Sequence, residues 1–135
     1  MSEKIFPLVE LLQQDQRYKL EAYQFVREAL QYAQEVLSMP PQKATAQAAK
    51  AEHHLTGQQL CEAIRVYALD QYGYLSKMVL NSWGIQSTSD FGEIVYNLIR
   101  IKEMRKSKSD RREDFNDQYD FNSAFQPVFQ LSSHS

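Results

Sequence analysis

The chain has 135 residues, a length that supports one hydrophobic core. A hydrophobic share of 43%, a charged share of 24%, four Gly and four Pro exclude a fibrous or disordered chain. The formal net charge of -2 excludes a global positive field that would hold nucleic acid or an anionic membrane, so any such contact must come from a local patch.

Cys61 is the only cysteine, which rules out an intrachain disulfide and a multi-thiolate metal site, and fits a reducing compartment. The opening Met1-Ser2-Glu3-Lys4-Ile5-Phe6-Pro7 leads to Glu10 after too short an apolar stretch for a signal peptide. No run approaches the ~20 apolar residues that span a bilayer. A soluble, cytoplasmic protein with no membrane partner is expected.

In chain order, residues 5–12 read as a short apolar helix with Pro7 in its first turn, where a missing amide proton is harmless. It is expected to pack across the next helix. That helix, residues 17–37, carries Ala22, Phe25, Val26, Ala29, Leu30, Ala33, Val36 and Leu37 at three- and four-residue steps. Pro40 and Pro41 end it near Ser38. Residues 42–52 are rich in Ala, Gln and Lys and read as an exposed connector with little to bury. Thr56-Gly57-Gln58-Gln59 is a capping-box pattern that starts a helix with stripe Leu60, Ala63, Ile64, Tyr67 and Ala68, closed by a left-handed Gly73. A second helix over 74–83, with Leu75, Met78, Val79 and Leu80, stops at Gly84. A third follows the Ser87-Thr88-Ser89-Asp90 cap cluster, with stripe Phe91, Ile94, Val95, Leu98 and Ile99. Its exposed face is read as Asp90, Glu93 and Asn97. The charged stretch from Glu103 to Asp120 fits a hairpin with a charged tip, and Asp120-Phe121-Asn122-Ser123-Ala124-Phe125 a capped final turn pinned by two phenylalanines. The fold class is therefore mainly α: N-terminal helices, then a three-helix unit followed by a small charged β-hairpin, an arrangement that resembles a winged helix. The segments are 1–38, an N-terminal helical part; 39–55, the connector; 56–126, the helical core with its hairpin; and 127–135, a flexible tail. All belong to one compact domain.

The chemistry is sparse. Phosphate-loop, dinucleotide, nucleophile-elbow and zincin spacings are absent. His53 and His54 are adjacent, so on a helix their side chains diverge and cannot both chelate one ion without ligands from elsewhere. Cys61 lies beside an apolar stripe, where a cysteine acts as a small hydrophobe rather than a nucleophile. Trp83 reads as a core plug before a ligand-stacking surface, and Arg65 as a partner for Asp70 or another carboxylate. Asp110, Glu113, Asp114, Asp117 and Asp120 lack the glycine and ligand order of a helix-loop-helix calcium site and read as a solvated charged loop. No catalytic, cofactor or metal residue is assigned. Arg100, Lys102, Arg105, Lys106, Lys108, Arg111 and Arg112 gather at the end of the third helix and in the hairpin, where a winged helix would touch a nucleic-acid backbone. Asp110, Glu113, Asp114 and Asp117, interleaved with them, oppose that contact.

His54-Leu55-Thr56-Gly57-Gln58-Gln59-Leu60, Ile64-Arg65, Ala68, Tyr72-Gly73, Val79-Leu80-Asn81-Ser82-Trp83-Gly84-Ile85 and Asp90-Phe91-Gly92-Glu93-Ile94-Val95 carry a resemblance. With Arg112-Glu113-Asp114-Phe115 and Tyr119-Asp120-Phe121, they resemble an uncharacterised family of short proteins from planctomycete and verrucomicrobial bacteria. The likeness runs from Ala22 to Phe125 and implies no activity, cofactor or partner. In that family a glycine often precedes the hairpin, whereas Ile101-Lys102-Glu103-Met104 has none. The Asp90-Phe91-Gly92 triplet is not a kinase signature, since no glycine-rich nucleotide loop accompanies it.

The reading that follows is a small non-catalytic binding or protein-interaction module whose expected partner is another protein. A winged-helix-like nucleic-acid-binding protein and an enzyme of unidentified type are the alternatives.

Overall fold

The computed structural model describes residues 5–35, 55–105 and 110–126. Helix α1 spans Ile5–Gln14 and α2 spans Leu20–Glu35. Helix α3 covers Gly57–Tyr72, a 3-10 turn Gly73–Leu75, α4 Ser76–Ser82 and α5 Thr88–Arg100. A second 3-10 turn, Arg112–Phe115, and the one-turn α6, Phe121–Ala124, complete the order. Residues 36–54, with His53, His54 and most of the connector, lie outside the described residues, as do Lys106, Lys108 and the tail from 127. Among the described residues no helix is long and apolar enough to cross a membrane.

The apolar stripes build the core. Ala22, Phe25, Val26, Ala29 and Ala33 of α2 are buried against the stripe of α3, and α2 also packs on α5, whose Phe91, Ile94, Val95 and Leu98 are buried. Burying each large apolar side chain contributes about 1.5–3 kcal/mol. Helix α1 enters this core through Leu11. The start of α3 is fixed as its sequence predicts: Gln59 N donates to Thr56 Oγ1 at 3.0 Å, and Thr56 N donates to Gln59 Oε1 at 2.9 Å. Gly73 is left-handed at φ 55. The final turn is also as expected, with Ser123 N donating to Asp120 and Phe121 and Phe125 buried.

Two expectations need correction. The helix expected from about 74 to 83 is present as a 3-10 turn running into α4, but its packing differs: the fully buried residue in its first α turn is Ser76, whose hydroxyl sits 2.6 Å from the Gly73 carbonyl oxygen and 2.9 Å from that of Ala68. Only Leu80 of its supposed stripe is buried, while Leu75 and Met78 face outward beside Tyr74.

The charged β-hairpin is the second: no strand occurs among the described residues, and the winged arrangement falls with it. A strand needs alternating apolar positions and gains from β-branched residues, and the charge-rich run after Arg100 offers neither. Helix α5 instead closes with paired bonds, Lys102 N to Ile99 O at 2.9 Å and Glu103 N to Leu98 O at 2.8 Å, which place Lys102 at φ 65. Beyond it Phe115, the last residue of the 3-10 turn, is buried between two glycines. A Cβ on Gly57 would stand 3.1 Å from the Phe115 ring, and one on Gly92 would stand 2.9 Å from Phe115 Cβ. The segment is thus pinned to α3 and α5 by one aromatic wedge rather than by strand pairing.

Candidate binding pocket

The wedge leaves space beside it. Leu30 of α2, Leu55 and Leu60 at the start of α3, Val95 and Ile99 of α5, Met104 and Phe115 wall a cavity of about 300 Å³. That size is the lower end of the range for small-molecule pockets. The capping box and Gly57 bring the first turn of α3 close to Phe115, and the Lys102 turn swings Met104 and Arg105 back over α5. Tyr96 also lines the cavity; its hydroxyl is sealed from solvent and has no hydrogen-bond partner among the described residues, and the Arg112 guanidinium lies over its ring at 5.0 Å.

The mouth is charged. Glu103, Arg105, Asp110, Arg111 and Asp114 border it. Glu103 faces Arg27 at 3.4 Å, and Asp114 accepts from the Arg111 backbone amide at 3.2 Å.

Of the basic residues singled out in the sequence, Arg100, Lys102, Arg105, Arg111 and Arg112 are among the described residues, and the first four line two separate depressions. Arg100 and Lys102 line a separate, open depression with Pro7, Glu10 and Gln14 of α1. Arg105 and Arg111 stand at the mouth of the apolar cavity. Arg112 is held by Glu93 at 3.4 Å and by Tyr96. Trp83 packs on Phe25 and Tyr72, with centroids at 5.5 and 6.0 Å, as a core aromatic. Cys61 is buried, burial pushes its thiol up to about 12, and its carbonyl accepts from the Tyr119 hydroxyl at 2.7 Å. Arg65 pairs within its own helix with Glu62 at 2.7 Å, not with Asp70.

A polar latch joins the α1–α2 loop to α5. Asn97, assigned to the exposed face by its polarity, is buried; its amide donates to Asp15 at 3.0 Å and to the Tyr23 hydroxyl at 3.1 Å. The Tyr18 hydroxyl donates to Asp90, whose carboxylate also accepts from the Gln86 and Ser87 amides. Arg17 donates to Asp15 and reaches Glu93 at 3.3 Å. The Arg17 hydrogen bonds, with help from Asn97, hold the Asp15 carboxyl well below the usual carboxylate range. Burial, reinforced by Asp90, pushes the Tyr18 hydroxyl up. With its charges and donors spent on one another, this cluster is a structural tie.

No family model matches the chain, and neither does any curated protein or solved structure. The functional reading rests on the geometry of the chain itself.

Proposed function

We propose that the chain is a non-catalytic binding module whose site is the cavity walled by Leu30, Leu60, Val95, Ile99, Met104 and Phe115. The observation that carries this reading is an apolar hollow of about 300 Å³ in a small helical chain. The space is a cleft open to solvent on one side, and its apolar wall beside the wedge can take an apolar group. The titratable groups support binding rather than bond chemistry. Cys61 is buried as a neutral thiol, and the Asp15, Arg17, Asp90, Glu93 and Arg112 side chains are engaged with one another or with the backbone.

The test is titration of the full chain with 1-octanol, monitored by methyl NMR. Shifts confined to Leu30, Leu60, Val95, Ile99 and Met104 are expected, saturating at one molecule per chain. Ile99→Trp, which fills the cavity from its half-buried wall, should abolish them while thermal unfolding stays cooperative. No saturable shift in the wild type, or the same shifts in the filled variant, would sink the reading.

A further inference from the structure

Part-exposed tyrosines line the seam between α2 and α3, and none of them borders the cavity. Tyr32 lies against Tyr67 with ring centroids 4.9 Å apart. Tyr67 and Tyr72 in turn flank Phe25, at 5.3 and 6.1 Å. Phe25 is buried, so the tyrosines are where this aromatic row meets water. Two exposed carboxylates belong to the same patch: Glu28, which accepts from the Tyr67 hydroxyl at 3.1 Å, and Asp70, one helical turn after Tyr67. Their hydrogen-bond donors, the Tyr67 phenol and the Gln71 amide, are neutral and leave both charges in place. Neither carboxylate forms an ion pair among the described residues. The rings respond to that field. After burial, Glu28 is the main cause raising the Tyr67 hydroxyl, with Asp70 adding to it, and Glu28 together with burial raises Tyr72. One base meets the row at its Trp83 end: the Lys19 amide donates to the Trp83 carbonyl at 3.1 Å.

We propose that this seam docks an arginine-bearing segment of another protein, with a guanidinium laid against the Tyr67 and Tyr72 rings and paired with Glu28 or Asp70. The face of an aromatic ring is electron-rich and attracts a cation. A guanidinium stacks flat on such a face while its in-plane N–H groups still donate to a carboxylate beside it, which the compact ammonium of lysine does less well. An apolar partner would strip water from two carboxylates and return nothing, and an acidic partner would be repelled. The seam is separate from the cavity, so the inference stands or falls apart from the binding reading above.

The experiment titrates the full chain at low salt with a fluorescent peptide of three Arg-Gly-Gly repeats and with its Lys-Gly-Gly counterpart. Binding is read by peptide anisotropy and by the emission of Trp83, the only tryptophan, which packs 6.0 Å from Tyr72. The wild type should bind the arginine peptide about fivefold more tightly than the lysine peptide. Glu28→Gln/Asp70→Asn changes two exposed side chains, should fold as the wild type does, and should lose most of the binding of both peptides. Tyr67→Leu/Tyr72→Leu, with cooperative thermal unfolding as its control, should bind the two peptides equally. If that variant does not fold, the arginine preference of the wild type and the carboxylate variant decide between them. No binding, equal binding of the two peptides by the wild type, or binding that survives loss of the carboxylates would overturn the inference.

Discussion

Gly92 lies directly under Phe115: a methyl group on this glycine would stand 2.9 Å from Phe115 Cβ and 3.0 Å from the ring. Real Cβ contacts are not that short, so the backbone of α5 and the aromatic wedge have been fitted to each other. Gly92→Val should destabilise the fold by about 1–3 kcal/mol through overpacking, read from chemical denaturation. Phe115→Ala removes the ring carbons at 3.0 Å but keeps Phe115 Cβ at 2.9 Å, so in the double variant the two losses should be only partly less than additive. Strict additivity would show that the wedge does not press on Gly92.

Two helix ends use the same paired-bond closure with different residues at the left-handed position. Gly84 follows α4 at φ 99, with Ile85 N bonding Leu80 O and Gly84 N bonding Asn81 O, each at 3.0 Å. A Cβ there would lie 2.0 Å from the Arg17 carbonyl oxygen, so Gly84→Ala combines left-handed strain with a backbone collision. It should cost clearly more than Gly73→Ala, whose glycine is also left-handed at φ 55 but has nothing within 4 Å of the added carbon. At the end of α5 the same place is held by Lys102 at φ 65. Lys102→Gly should stabilise by up to about 1 kcal/mol, the relief of left-handed strain less the extra freedom glycine gives the unfolded chain. Urea melts of the three variants order these effects, and a destabilised Lys102→Gly would show that the lysine side chain is needed where it stands.

The polar latch should make stability depend on acid. Asp15 has an ordinary value near 3.8 when unfolded and lies well below it when folded. Its contribution is therefore complete above about pH 5 and is lost as the pH falls through 4 toward the folded value, because the unfolded chain takes up the proton first. Asp15→Asn should be less stable than the wild type at neutral pH, and the gap between them should narrow between pH 4 and pH 2. Unfolding free energies at closely spaced pH values check this. Parallel curves for the two proteins would assign the acid response to other carboxylates.

The helices were legible because their stripes and caps are local. Thr56 with Gln59, Gly73, Gly84 and the Phe91-to-Leu98 stripe each announce themselves within one or two turns of chain. The pocket was not legible, since it depends on Phe115 finding Gly57 and Gly92, residues far apart in sequence that carry no side chain to form a pattern. The hairpin was misread for a related reason: a charge-rich run tells where water is, not which backbone shape lies beneath it. Asn97 did leave a trace. It sits three residues after Ile94, on the edge of the apolar stripe of α5, and a polar residue at such a place is a candidate for a buried hydrogen bond.

The latch has a kinetic consequence. Its bonds join residues far apart in the chain, Asp15 to Asn97 across 82 positions, Tyr23 to Asn97 across 74 and Tyr18 to Asp90 across 72. Helices nucleate from neighbours, but contacts of this span wait until long loops have closed. We expect them to be made after the main barrier, where interactions hardly change how fast a chain folds while they govern how slowly it opens, so Asn97→Ala should speed unfolding more than it slows folding. On that expectation Asn97 and its partners are a bolt rather than a guide, holding the α1–α2 loop on α5 once the helices have found their places.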